Sequence, residues 1–319
     1  MTQIIVQINP DVPPTGSDLG VVNAARKSFG RRSEWEYTHP SGYKWDSLAD
    51  AEYHFTDGEG VDVEFSKVKP TLKEKDKRLL EFLARGMTAD DFDELLGSVS
   101  IEGAWNSGYI SEEDGNIKEL TELLWQWRNT PTHDTPFSHS FFSFEVKAPI
   151  FVARHLVKHE YLIMSEYSRR YITNDVEFYQ PEVWRKAAED VKQGSSDEGF
   201  EGYFYHEYKE DDSEIPYQYQ CGVDTPLDTV VGNYNQRCLS LYTDMVNRGI
   251  APEQARMVLP QSLMTSFTWS GTLGAFSNMC KLRLSKDTQY ETRLVAEGVY
   301  KELKKQFPIS APLLVEGFL

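Results

Sequence analysis

The chain has 319 residues and a formal net charge of −17, and 40% of its residues are hydrophobic. This length and composition suit a globular protein with a full core, and they exclude an intrinsically disordered chain. The acidic balance also excludes a protein that grips long nucleic acid, because such proteins normally present a broad basic surface. A phosphate-bearing ligand must therefore be small and held in a local basic pocket.

Neither a membrane span nor a secretory signal is expected. No apolar run approaches the roughly 20 residues that a span needs, and the N-terminus has no basic segment followed by a long apolar one. The three cysteines, Cys221, Cys238 and Cys280, stand far apart. Their spacing argues against a disulfide framework and a thiolate metal site, so no metal is expected. The plain interpretation is a cytoplasmic protein.

The first predicted element is a short helix at 17–30, SDLGVVNAARKSFG, ended by Gly30. The polar, aromatic-rich stretch at about 31–70 has no clear periodicity. It is interpreted as an insertion or an irregular lobe.

A second helix is predicted after this stretch. Thr71 and Glu74 form a capping box, and a leucine stripe follows that ends at Gly86. Two further helices are predicted at 88–96 and 117–127.

A strand and a helix are predicted next. Apolar and polar residues alternate over 142–147, which is typical of a half-buried strand. Pro149 suits the first turn of a helix, predicted to run through IFVARHLVKHE at 150–160. Three side chains of that helix would share one face, at i, i+3 and i+4: His155, Lys158 and His159.

The second half of the chain is predicted to be mostly helical. The acidic, turn-rich stretch at about 194–222 is interpreted as a surface insertion. Helices follow from Val230 to Gly249, from Ala251 to Pro260, and at about 271–283 and 287–306. The elements together predict an α+β domain with helices in the majority.

Five basic side chains fall within seventeen residues: Arg154, Lys158, His159, Arg169 and Arg170. The ordinary explanation of such a cluster is a solvated helix face. The alternative is a local pocket for a phosphate.

The stretch from Ala148 to Tyr171, APIFVARHLVKHEYLIMSEYSRRY, resembles the signature R-H-R-x-x-S-x-N-E-x-S-x-R-Y of flavin-dependent thymidylate synthases. Lys158 keeps the charge of the first arginine. Five of the nine fixed positions are kept: His159, Glu166, Ser168, Arg170 and Tyr171.

Weaker similarities to the same family extend along the chain in the correct order. VVNAARKSF resembles its N-terminal helix, HDTPFSH (133–139) resembles H-E-T-P-F-E-H, and EFYQP (177–181) resembles its E-F-Y segment. EQARMVLP (253–260) resembles E-x-A-R-x-x-L-P, and Asn278 and Arg283 fall in its closing helix. The chain is identified as a member of this family.

The resemblance implies a single catalytic domain over 1–319 with insertions at about 31–70 and 194–222. Its fold is expected to be α+β, with a central, largely antiparallel sheet flanked by helices and a helix-rich C-terminal half. The implied reaction converts dUMP to dTMP with FAD, NADPH and 5,10-methylenetetrahydrofolate. The implied assembly is a homotetramer with shared active sites, and no partner other than nucleotide and folate is expected.

Arg283 matches the family's arginine that stabilises deprotonated uracil and makes C5 nucleophilic. An always-charged guanidinium suits that role, although a surface arginine near a helix end is the bland alternative. An ion pair with Glu253 is the corresponding alternative for Arg256. The complete dUMP set implied by the resemblance is His155, Lys158, Glu166, Ser168, Arg169, Arg170, Arg256 and Arg283.

The resemblance implies that the flavin lies on the signature helix. No Rossmann glycine motif follows a strand, so binding in the dinucleotide-fold manner is not expected. A histidine is more often a core residue than a ligand, but His139 and His159 match two separate family motifs. The FAD set implied by the resemblance is His139, Lys158, His159, Glu160, Glu166, Thr272, Gly274 and Asn278.

Four departures from the family pattern fall mostly on the flavin side. Glu160 reverses the charge of the second signature arginine, and His155 replaces a glutamine. Ile163 and Ser165 replace the signature Ser and Asn, and Thr-Leu-Gly at 272–274 replaces Asn-Ala-Arg. Fewer cations near a pyrophosphate weaken its binding unless other residues compensate.

Three functions are therefore compared. The first is a working thymidylate synthase. The second is an enzyme of the same fold with other chemistry at C5 of a pyrimidine nucleotide, such as hydroxymethylation. The third is a non-catalytic nucleotide-binding paralogue.

Overall fold

A computed structural model of the chain describes residues 3–55, 65–86, 88, 90, 133–188, 195–200, 202–204 and 225–316. Apart from residues 88 and 90, the helices predicted at 88–96 and 117–127 lie outside these residues. Most of the insertion predicted at 194–222 lies outside them as well. Within the described ranges no helix has both the length and the apolar character to cross a bilayer.

The described residues contain three sheets, with the strand orders β1-β5-β9-β6, β3-β2-β4 and β7-β8. The strands are β1 Ile5–Ile8, β2 Glu36–Thr38, β3 Lys44–Trp45, β4 Lys69–Thr71, β5 Phe141–Pro149, β6 Leu162–Glu166, β7 Tyr203–Phe204, β8 Thr225–Pro226 and β9 Met264–Thr272.

Helices dominate the C-terminal half. The α-helices are α1 Asp18–Lys27, α2 Leu48–Phe55, α3 Glu74–Arg85, α4 Asp134–Phe137, α5 Ile150–Leu156, α6 Leu227–Asn247, α7 Pro252–Ala255, α8 Leu273–Arg283, α9 Tyr290–Gln306 and α10 Ser310–Val315, with 3-10 turns at Phe65–Lys67 and Arg256–Val258. The α+β class and the helix-rich C-terminal half are confirmed.

The chain divides into two compact units. Unit 1 consists of Met1–Asn9, Phe144–Trp269 and Leu282–Gly298, and unit 2 consists of Pro10–Ser143, Ser270–Lys281 and Val299–Leu319. The single catalytic domain expected from the sequence stays a prediction.

Unit 1 is built on the four-stranded sheet. The strand predicted at 142–147 is confirmed within β5, whose Phe144, Val146 and Ala148 are buried while Glu145 and Lys147 are only partly covered. β1 pairs with β5 in antiparallel register, with Ile5 opposite Lys147. Strands β1, β6 and β9 are not among the predicted elements. β9 has the period of two that a half-buried strand shows, with Phe267 and Trp269 in the core.

The helix predicted at 150–160 is shorter than expected, with 7 residues. α5 ends at Leu156, and Tyr161 adopts a left-handed backbone with φ of 61°. The chain then reverses into β6, whose backbone groups pair with β9 in the sheet. Lys158 and His159 therefore lie in a turn, and they do not share a helix face with His155. Pro149 caps α5 and ends β5, so its predicted place inside the first turn is also wrong.

Unit 2 corrects two predictions for the N-terminal part. The stretch at 31–70 was expected to be irregular, but its described residues form α2 and the β3-β2-β4 sheet. The capping box at Thr71 is also wrong, because Thr71 belongs to β4 and its hydroxyl donates to the carbonyl of Glu36 at 3.1 Å. α3 instead begins after Lys73 and ends, as predicted, at a left-handed Gly86.

The other predicted helices are confirmed with shifted ends. α1 begins at a Ser17 cap, whose hydroxyl accepts from Gly20 N at 3.2 Å, but it ends before Gly30. α6, α7, α8 and α9 match the four predicted C-terminal helices, and Gly249 has the positive φ of 88° that suits a residue beyond a helix end. α10 is not among the predicted elements.

Asp18 ties the two ends of unit 2 together. Its carboxylate accepts from the amides of Ile309 and Ser310 at 3.0 and 2.9 Å and from the Ser310 hydroxyl at 2.5 Å. The side chain is only 3% exposed. The carboxylate satisfies amides at the start of α10 that have no partner within the helix.

We expect Asp18→Ala to lower the free energy of unfolding by about 3 kcal/mol, because it leaves buried donors without an acceptor. Chemical denaturation followed by circular dichroism measures this. Glu74→Ala is the control, since Glu74 forms an exposed ion pair with Lys77 on α3, and we expect a change below about 1 kcal/mol. Equal effects of the two variants would contradict the anchoring role of Asp18.

Candidate active site

The backbone just before and within β9 accepts hydrogen bonds from three other segments of unit 1. Ile150 N, at the start of α5, donates to the carbonyl of Leu263 at 2.9 Å, and Tyr167 N donates to Ser266 O at 2.9 Å. Tyr179 N donates to Ser262 O at 2.7 Å. Three segments distant from β9 in the sequence are thereby fixed along one stretch of backbone.

Arg283, the last residue of α8, is held by His159. Its Nε donates to Nε2 of His159 at 2.9 Å, and both side chains are partly buried. Burial, together with the Arg283 guanidinium and His155, lowers the pKa of His159 to about 4. Burial also lowers the pKa of Arg283 from its ordinary value. At neutral pH the contact therefore joins a cation to a neutral imidazole.

His155 lies beside the same guanidinium. Its Nδ1 is 3.0 Å from the hydroxyl of Thr292, which is fully buried near the start of α9. Burial and the neighbouring Arg283 lower the pKa of His155. The structure thus brings His155, His159 and Arg283 together, although the helix face that was predicted to join the two histidines does not exist.

The loop after β6 carries Ser168 and Arg170. Nε of Arg170 donates to the Ser168 hydroxyl at 3.1 Å, and its guanidinium lies over the Tyr171 ring at 5.2 Å. Arg170 and Tyr171 are exposed. Glu166, at the end of β6, accepts from the Thr265 hydroxyl on β9 at 2.8 Å. The loop therefore presents a hydroxyl and a guanidinium side by side.

Arg169 has a different environment from the phosphate contact that was predicted for it. Its Nη1 donates to the carbonyls of Asn174 and Ile172 at 2.6 and 3.4 Å, and its Nη2 donates to Asp175 O at 3.1 Å. Asp175 has a left-handed backbone with φ of 52°. The guanidinium clamps this turn, so its direct nucleotide contact stays a prediction that the observed bonds do not favour.

Arg256 follows α7 and is exposed. Its Nε donates to the backbone carbonyl of Glu253 at 3.3 Å, so the hydrogen bond goes to the main chain and not to the carboxylate. Lys158 and Glu160 occupy the turn after α5 and are exposed. The signature's first and third positions are therefore an exposed cation and an exposed anion in the same turn.

The remaining flavin candidates belong to unit 2. Thr272 precedes α8, and its hydroxyl accepts from Ala275 N at 3.2 Å, so it caps the first turn of that helix. Gly274 is buried in α8, while Asn278 and His139 are exposed. Their joint contact with a flavin stays a prediction.

A cavity of about 630 Å³ in unit 1 contains residues that have no predicted role. His155 lies on its wall together with Phe151, Tyr179 and Trp184. Nη2 of Arg185 forms an ion pair with Oε1 of Glu291 at 2.9 Å. Burial, followed by the charge of Glu291, raises the pKa of Tyr179 to about 12. The sequence indicates the EFYQP segment only by its similarity to the family. Arg185 pairs with Glu291, 106 residues away, so no local pattern in the sequence predicts that pair.

The chain matches a known protein family over most of its length. Residues 74–309 match the family described as thymidylate synthase complementing protein, and the chain belongs to that family.

Relatives named flavin-dependent thymidylate synthase align with part of the chain. The protein of Thermus thermophilus is 33% identical over 187 residues, which cover 59% of this chain and 61% of that protein. The protein of Wolbachia pipientis is 34% identical over 209 residues, covering 65% and 64%, and that of Thermosipho africanus is 32% identical over 176 residues, covering 55% and 68%. The aligned region is thus less than two thirds of the Thermus protein.

Solved structures share the fold over nearly the whole chain. A UMP/dUMP methylase, PolB of Streptomyces cacaoi, superposes with a TM-score of 0.52 and 20% identity in its complex with 5-bromo-dUMP, covering 97% of this chain and 94% of that one. Its complex with 5-bromo-UMP superposes with a TM-score of 0.53 and 19% identity, covering 99% and 96%.

We expect His159 to take up its proton near pH 4 and not near its ordinary pKa of 6.5. The unfolded chain binds that proton first as the pH falls, so stability is lost between about 6.5 and 4 and not above this window. NMR of the imidazole Cε1–H gives the midpoint, and His159→Gln assigns the resonance. The Arg283 Nε–H signal should shift with the same midpoint. A midpoint near 6.5 would contradict the contact.

Proposed function

We propose that this protein is a flavin-dependent thymidylate synthase. It converts dUMP to dTMP with a one-carbon unit from 5,10-methylenetetrahydrofolate and with reducing equivalents from NADPH, through FAD. The observation that carries this proposal is the partly buried Arg283, bonded to a neutral histidine at 2.9 Å. The names of the relatives support the reaction, and the 5-bromo-dUMP complex of PolB supports a pyrimidine nucleotide as the ligand.

Arg283 suits the activation of uracil. C5 of uracil is a weak nucleophile, and it becomes carbanion-like when N3 loses its proton and negative charge spreads over N3 and O4. A guanidinium that is already partly desolvated interacts more strongly with this charge than one in bulk water. It also requires little reorganisation when the charge develops, because its Nε is already bonded to His159.

The 5′-phosphate is assigned to Ser168, Arg170 and Arg256. Arg170 and Arg256 are exposed, and the Ser168 hydroxyl is within 3.1 Å of Arg170 Nε. Guanidinium groups form bidentate, charge-assisted hydrogen bonds with phosphate. The net charge of −17 makes such a local pair of cations the plausible place for an anion in this chain.

The residues assigned to FAD fit a phosphate-bearing flavin in their donor chemistry. Lys158 supplies a cation, and Asn278 and His139 supply exposed polar groups. Glu166 orients β6 through Thr265, while Glu160 adds an exposed anion that a pyrophosphate must avoid. When bound, the flavin supplies the reducing equivalents that turn the transferred carbon into a methyl group.

A homotetramer in the cytoplasm is part of the same proposal. The signature region exposes four large apolar side chains: Tyr161, Ile163, Tyr167 and Tyr171. Exposed apolar side chains clustered in this way are typical of a surface that another subunit covers. Shared active sites would place such a surface beside the ligands.

Hydroxymethylation of a pyrimidine nucleotide is the second candidate. It is favoured by Glu160, an exposed anion where the family has an arginine, because weak flavin binding favours transfer without reduction. Mass spectrometry of the product distinguishes a methyl from a hydroxymethyl group. Tight nucleotide binding without any product or bound flavin would instead support a non-catalytic paralogue.

We expect purified protein with FAD to show flavin absorption that bleaches on adding NADPH. The absorption should recover when dUMP and methylenetetrahydrofolate are added together. UV–visible spectroscopy measures both steps, and omission of dUMP is the control. No bound flavin at any concentration would exclude the synthase.

We expect Arg283→Ala to lower kcat by at least about 100-fold, because it removes charge stabilisation from the transition state. We expect Arg256→Ala chiefly to raise KM for dUMP, because a phosphate contact acts in the ground state and the transition state alike. Steady-state kinetics separates the two effects. The control is Arg248→Ala, which removes an exposed ion pair with Asp244. A normal kcat for Arg283→Ala would disprove the proposed activation.

A further inference from the structure

His159 was assigned to the flavin by resemblance, but the structure gives it a direct partner in Arg283. Its Nε2 lies 2.9 Å from Arg283 Nε. An Arg Nε–H only donates, so the imidazole nitrogen must be unprotonated and the other ring nitrogen, Nδ1, must carry the hydrogen. The burial that disfavours the imidazolium keeps the ring in this form at neutral pH. The contact therefore has one defined direction.

The neutrality of the acceptor preserves the charge of the guanidinium. Arginine is usually paired with a carboxylate in proteins, which fixes its orientation and cancels its charge. In the described part of the chain Arg283 has no carboxylate partner. A neutral imidazole fixes the orientation and leaves the full positive charge for a ligand. This chain carries 50 acidic residues, so the absence of a carboxylate here is unusual for its composition.

The hydrogen bond to His159 does not use the two Nη groups of Arg283. The hydrogen bond uses Nε, while the two Nη groups form the fork that binds planar anions in bidentate fashion. His155 is near enough to the same guanidinium for its charge to lower the pKa of His155, and its Nδ1 lies 3.0 Å from the hydroxyl of the buried Thr292. Two imidazoles therefore lie near the guanidinium: His159 accepts a hydrogen bond from it, and His155 is held by Thr292.

We propose that His159 is a positioning residue for Arg283: it holds Nε so that the charged Nη fork meets the uracil anion. The inference rests on the proposed function. His159 itself contacts no substrate in this proposal. Its effect reaches the reaction only through the orientation and charge of Arg283.

Three substitutions separate orientation from charge. His159→Gln keeps a neutral acceptor, His159→Leu removes the acceptor, and His159→Glu keeps an acceptor but adds an anion. We expect kcat to fall about 10- to 100-fold for the Leu and Glu variants and much less for Gln, with KM for dUMP changed less than kcat. A purely structural role would instead rank the variants by their thermal stability.

The ionisation of a bound nucleotide gives a readout that does not depend on turnover. Bromine at C5 makes N3–H of 5-bromo-dUMP more acidic, and loss of that proton changes the ultraviolet spectrum. We expect wild type to lower the N3–H pKa of the bound analogue relative to the free nucleotide. The Leu and Glu variants should raise it by about one pH unit relative to wild type, a tenfold change, and the Gln variant should stay close to wild type.

The titration is run above pH 6.5, where His159 of the folded wild-type protein is neutral. If wild type fails to bind 5-bromo-dUMP or leaves its N3–H pKa unchanged, the proposed function falls and this inference falls with it. If wild type lowers that pKa and the Leu and Glu variants lower it equally, the function stands and the positioning role is overturned. Should the Leu variant fail to fold, the Gln and Glu pair still decides the outcome.

Discussion

The backbone from Ser262 to Ser266 is the constraint on which unit 1 depends. It accepts hydrogen bonds from the start of α5, from the loop after β6 and from the EFYQP segment. Each of these brings part of the site with it. A strand that must satisfy three neighbours has little freedom to shift, because a slip of one residue would turn Phe267 and Trp269 out of the core. The position of the signature residues is thus set by the pairing of a distant strand.

Charge explains the next level of organisation. An acidic chain can hold an anionic ligand only where cations stay uncompensated, and burying a bare guanidinium is costly. The contact with His159 reduces that cost by supplying a hydrogen-bond acceptor without an opposing charge. Arg169 shows the other solution, since its guanidinium is consumed by three backbone carbonyls. The neighbouring Arg169 and Arg170 therefore differ in their partners: Arg169 donates to backbone carbonyls, and Nε of Arg170 donates to the Ser168 hydroxyl.

Local patterns predicted the elements that depend on local physics. Alternation revealed β5, and helical spacing with glycine ends revealed α3 and α6. β6 was missed because the choice between helix and strand for LIMSE is made by pairing with β9, about 100 residues away. The resemblance gave Arg283 and His159 separate expected roles, but no sequence pattern pairs their side chains. That contact depends on where α8 and α5 end, and tertiary packing decides both helix ends.

The nucleotide side and the flavin side of the proposed site differ in how many of their side chains are already held by hydrogen bonds. On the nucleotide side, Arg283 and Ser168 already have side-chain hydrogen bonds. On the flavin side, Lys158, Glu160 and Asn278 are exposed, so a ligand must order each of them at about 0.5–1.5 kcal/mol per side chain. The departures from the family signature fall on this less organised side. A site built in this way would bind the nucleotide through side chains that are already held in place and the flavin through side chains that the ligand must order.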